Sequence, residues 1–139
     1  MTSAAVPQSI STGGLTVAQM LNTICSDKFD LDSTTSPYKE LIFVPSLPIK
    51  IRAAKIIYQG ATTGTVAGGS VKLGTSADDD LVAESTALTN AAAIGTEVDL
   101  TIASDETIAA FTPVIVTWVG VAATQAGEAK VQIDYAYVA

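Results

Sequence analysis

Aspartates and glutamates outnumber lysines and arginines by 14 to 7 in this chain, so reactive chemistry has to be sought first among clustered carboxylates. The tightest cluster is Asp78, Asp79 and Asp80, in TSADDD at residues 75–80. Three consecutive carboxylates repel one another unless water or a cation screens them. They fit a solvated hairpin tip, and a calcium site is the alternative. Asp27, Asp30 and Asp32 are spread through SDKFDLDSTTSP at residues 26–37. Their spacing matches no standard calcium loop, which needs a glycine and a distal glutamate, so they read as solvated loop acids. On the basic side, Lys50, Arg52 and Lys55 share one segment. They could form a small docking patch, although a solvated strand face is the plainer reading.

Other chemistry is missing at its first requirement. The chain has no histidine, which removes histidine-based catalysis and His-rich zinc sites. Its single cysteine, Cys25, permits no intrachain disulfide and no Cys–His nucleophile, and is expected to be a buried, inert thiol. Gly64 and Gly69 have the spacing of a phosphate loop. That loop needs Lys and then Ser or Thr after its second glycine, and Ser70 and Val71 stand there instead. The acids fall in loops and on outward strand faces, with no apolar pocket to raise one of a catalytic pair. An aromatic platform for sugars would rest on Tyr58, Trp118, Tyr135 and Tyr137, which are expected to pack in the core. No catalytic, cofactor-binding or metal residue is assigned, no cofactor is expected, and the chain does not read as an enzyme.

The elements that would position these residues are mostly strands. Residues 112–120, TPVIVTWVG, are uncharged and apolar on both parities, as in a central strand covered on both faces. In residues 96–103, TEVDLTIA, Val98, Leu100 and Ile102 point inward, while Glu97, Asp99 and Thr101 point out. Val131, Ile133, Tyr135 and Tyr137 similarly share one side of a last strand over 128–138. Residues 38–45 and 71–74 are further strands, and 81–88 is a strand with a polar continuation. In residues 49–58, IKIRAAKIIY, the apolar phase shifts, which predicts a β-bulge near Ala53 and Ala54, with burial on both faces beyond Ala53 as the alternative. Residues 60–70 read as a Gly/Thr loop. Thr16 and Gln19 form a capping box, Leu15 and Met20 a hydrophobic staple, and Val17, Met20, Leu21 and Ile24 an apolar stripe, predicting a short helix over 17–25. Residues 1–14 read as an extended arm. The sum is about seven or eight strands and one short helix, an all-β, antiparallel, jelly-roll-like β-sandwich. A seven-stranded immunoglobulin-like sandwich is the runner-up. The expected division is an N-terminal arm with the short helix over 1–30 and a β-sandwich domain over 31–139.

With 139 residues the chain suits one domain, and a net charge of -7 argues against nonspecific nucleic-acid binding. Hydrophobic residues make up 48% and charged residues 15%, a surface suited to packing against other subunits. No apolar run is long enough for a membrane span, and MTSAAVPQ lacks a secretion signal's basic start, so synthesis in the cytoplasm is expected.

Four segments, VKLGTSADDDLVAESTAL (71–88), VDLTIA (98–103), FTPVIVTWVG (111–120) and GEAKVQIDYAYV (127–138), follow one another in a distinctive order. This pattern resembles small virion proteins of tailed bacteriophages, the capsid decoration or cement proteins. It covers the last half to two-thirds of the chain, and the N-terminal part matches no such pattern. The resemblance implies a β-sandwich on the outside of a capsid shell that bridges major capsid protein subunits as a trimer or dimer, with no catalytic residues. It would be made in the host cytoplasm and work on the virion surface. A carbohydrate- or receptor-binding module of a phage head or tail is the alternative.

Overall fold

The computed structural model describes residues 21–31, 37–63, 69–85, 93–103, 106–120 and 126–138. They form β1 (Asn22–Cys25), β2 (Phe29–Asp30), β3 (Tyr38–Phe43), β4 (Ile49–Thr63), β5 (Ser70–Gly74), β6 (Ala83–Ser85), β7 (Glu97–Leu100), β8 (Val114–Val119) and β9 (Ala126–Tyr137). One sheet runs in the order β1-β9-β4-β7, with β2 also on β9, and the other runs β3-β8-β5-β6. Every pairing is antiparallel, and the two sheets pack as a β-sandwich.

Alternation places the core between the sheets. In β9, Ala129, Val131, Ile133 and Tyr135 are buried, with Lys130, Gln132 and Asp134 on the other parity. β8 lies between β3 and β5, and its Val114, Val116 and Trp118 are fully or almost fully buried. Its opposite parity is covered only in part: Thr117 is buried and the Lys39 ammonium donates to its Oγ1 at 3.3 Å, while Ile115 and Val119 are half-buried. The bulge in β4 falls one residue earlier than the apolar phase predicts. Ile51 pairs with Tyr135 and Ala53 with Asp134, so Arg52 is the extra residue. It turns the strand by one parity, and Ile49, Ile51, Ala54, Ile56 and Tyr58 all face inward. At the lateral edges Ile102 bridges to Ala83, and Ile108 exchanges both backbone hydrogen bonds with Ile49.

Three expectations change. Asn22–Cys25 form a strand against β9, Asn22 opposite Tyr135 and Cys25 opposite Gln132, where the sequence predicts the end of a helix. A nine-residue helix is marginal alone, and the edge of β9 offers backbone partners that a short helix cannot replace. No helix occurs among the described residues, and residues 17–20 lie outside them. Residues 26–37 are not all loop, because Phe29 and Leu31 are buried in the core and β2 pairs with β9. The sandwich therefore includes residues assigned by sequence to the N-terminal segment before residue 31. Finally, β4 continues through Gly60 to Thr63, residues read as loop.

Candidate interaction surfaces

The basic cluster lies on the outer face of the larger sheet, and acids flank its Lys55. Lys55 pairs with Asp99 on one side and Gln132 on the other, and its Nζ lies 3.0 Å from Glu97 Oε1. Lys50 pairs with Ala136, and Arg52 stands out at the bulge. A cleft lined by Ala53, Lys55, Asp99, Gln132 and Asp134 crosses this face. At its β1 side Thr23 donates to Asp134 Oδ1 at 2.6 Å. Cys25 is half-buried there, with Sγ 3.7 Å from Gln132 Oε1, so the thiol is less enclosed than predicted. The face is mixed in sign and laced by cross-strand pairs. It carries no strong single-sign field with which to steer a charged partner.

The three aspartates do form a hairpin tip, between β5 and β6. The Thr75 N–H donates to Asp78 O at 2.9 Å, and the Asp78 N–H donates to Thr75 Oγ1 at 3.3 Å. The chain doubles back so tightly over Gly74 that a Cβ there would stand 2.2 Å from Asp78 O. One ligand atom from each aspartate fits within 4.8 Å of the others. A hydrogen bond with Asp80, aided by desolvation and the neighbouring charge, raises the Asp78 carboxyl above its usual value. Lys72 Nζ offsets part of the repulsion, 3.7 Å from Asp79 Oδ1. Asp78 and Asp80 are exposed at this tip, and Asp79 is half-buried. Of the looser set, Asp27 and Asp30 are exposed, and Asp32 lies outside the described residues.

The four aromatics do not make an open platform. Tyr58 and Trp118 are fully enclosed, Tyr135 is buried, and Tyr137 packs half-buried against Tyr135 with ring centroids 5.8 Å apart. Burial, followed by the neighbouring Tyr137 hydroxyl, raises the Tyr135 phenol above its usual value. Phe43 packs on Tyr135 from the other sheet, the rings tilted with centroids 4.8 Å apart. At the opposite side Phe29 stacks on Tyr38 at 6.0 Å, joining β2 to β3.

The exposed apolar surface lies elsewhere. Phe111 is 75% exposed and holds a left-handed backbone, φ 63°, that side chains rarely adopt. Its N–H donates to Pro45 O at 2.7 Å, which sets it beside the β3–β4 corner carrying exposed Val44 and Leu47. Large apolar residues inside turn sequences, Leu47 between Pro45 and Pro48 and Phe111 before Thr112-Pro113, were the available signal. The arm over residues 1–14 lies outside the described residues.

A solved capsid chain shares this fold. It belongs to the cyanophage Pam1 capsid asymmetric unit and superposes with a TM-score of 0.65, over 98% of this chain and 98% of that one. The two are 12% identical, so the likeness is one of fold. No protein-family model matches the sequence, and no curated protein does.

Proposed function

We propose that this chain is a structural virion protein of a bacteriophage, decorating and cementing the outside of the capsid by bridging major capsid protein subunits. The observation that carries the reading is the full-length fold agreement with a chain of the cyanophage capsid asymmetric unit. The sequence pattern from 71 to 138 supports it independently, as does an exposed surface that is apolar at one end. In this reading the protein is a homo-oligomer with no catalytic role. Cementing works through many weak contacts repeated by symmetry. The test is co-sedimentation of purified protein with capsid shells, with bound copies counted per major capsid subunit. Saturation at a fixed ratio is the expected result. A protein that stays in the supernatant while binding glycans would replace this reading with the receptor-binding one.

A further inference from the structure

Seven large apolar side chains are exposed among the described residues, and six of them, Leu21, Leu41, Val44, Leu47, Phe111 and Val138, gather toward one end of the sandwich. Backbone contacts fix that grouping. Phe43 pairs with Val114, Phe111 bonds to Pro45, Val138 bonds to Pro48, and Asn22 pairs with Tyr135 two residues short of the end of β9. The segments carrying the patch, residues 41–49, 107–115 and 135–138, contain no charged side chain. The acidic tip occupies the other side of the same end, beyond β5, and forms a polar rim.

The sequence preceding Leu21 matches this patch. Residues 1–20, MTSAAVPQSISTGGLTVAQM, also carry no charged side chain and are punctuated by Val6, Ile10, Leu15, Val17 and Met20. They join the sandwich at the patch itself. β1 starts at this end of its sheet, Asn22 opposite Tyr135, so the described chain begins at the rim of the patch. Twenty residues reach roughly 66 Å when extended. A domain of this length has a radius of gyration of about 14 Å. We infer that residues 1–20 of a second copy of this chain dock on the apolar end formed by Val44, Leu47, Phe111 and Val138. This deepens the homo-oligomer part of the proposed function by naming the segment and the surface that meet.

The test uses full-length protein carrying the photo-crosslinker p-benzoylphenylalanine in place of Phe111. Irradiation is expected to give a dimer-mass or larger species on a denaturing gel, with the crosslinked peptide falling within residues 1–20. A monomer-mass crosslink to residues 1–20 would show docking within one chain and overturn the inference, as would crosslinks only to other surfaces. In parallel, light scattering compares the wild type with a chain lacking residues 1–20 and with L47S/F111S, while fluorescence of the enclosed Trp118 reports folding. Both changes are expected to lower an oligomeric mass to that of a monomer with Trp118 fluorescence unchanged. A wild-type monomer, or variants that keep the oligomeric mass, would refute the assignment. No shells are present, so loss of shell binding would count against the cement reading alone.

Discussion

Trp118 shows how little slack a single side chain has here. It is fully buried in the central strand of its sheet, and Gly69 lies so close that a Cβ there would stand 2.5 Å from Trp118 Cη2. Replacing Trp118 with Ala is expected to cost about 3–5 kcal/mol. Adding a methyl at Gly69 should cost about 1–3 kcal/mol through overpacking. Urea denaturation of the two variants checks both values. Tyr38 offers a spectroscopic handle. Its hydroxyl donates to Glu40 Oε1 at 2.5 Å, and this bond, followed by burial and the carboxylate charge, pushes its pKa from the usual 10.0 up to about 12. The phenol is therefore more readily kept protonated in the folded state, so its contribution is complete below pH 10 and lost as pH rises through about 12. Absorbance titration of tyrosinate should show one ionisation near 12 that moves down in Glu40→Gln.

Elements put these residues to work, and the acidic hairpin between β5 and β6 shows the electrostatic side of that. Because Asp80 raises the Asp78 carboxyl, the folded tip takes up a proton more readily than the unfolded chain. The tip thus favours folding most below the ordinary carboxylate pKa, and that contribution is lost as pH rises through the raised one. Asp80→Asn is expected to raise the melting temperature at pH 7, with the gain shrinking as pH falls toward 4. A gain independent of pH would contradict the assignment. β1 and β2 lead to a second test. Phe29 and Leu31 are buried in the core, so the fold depends on β2 and the residue that follows it. Deleting residues 1–20 should leave the unfolding midpoint near that of wild type under monomeric conditions. Deleting 1–31 strips Phe29 and Leu31 from the core and should cost at least the roughly 3–5 kcal/mol of one large core truncation. Calorimetry of the two truncations separates the outcomes.

At the scale of the whole molecule, the sandwich is assembled almost entirely by crossing. From β2 onward, every step between successive strands except the β5–β6 hairpin passes from one sheet to the other. Long-range pairing of this kind leaves little trace in local sequence. What the sequence determined by itself was the all-β class and the facing of β7 and β9, because the period-2 alternation of Val98, Leu100, Val131 and Ile133 is a local property of the backbone. It also determined the bulge in β4 to within a residue or two, because one inserted residue inverts every later side chain. It placed Trp118 in the core and kept histidine and disulfide chemistry out of consideration by composition alone. Only the tertiary structure decided that Asn22–Cys25 would be a strand, since the hydrogen bonds that hold it come from β9, more than a hundred residues away. Only the tertiary structure showed that Lys55 sits among acids, because cross-strand neighbours are set by register. The apolar end also emerged there alone. Leu21, Leu47, Phe111 and Val138 are far apart in sequence and unremarkable singly, and become one surface because the strand ends that carry them converge.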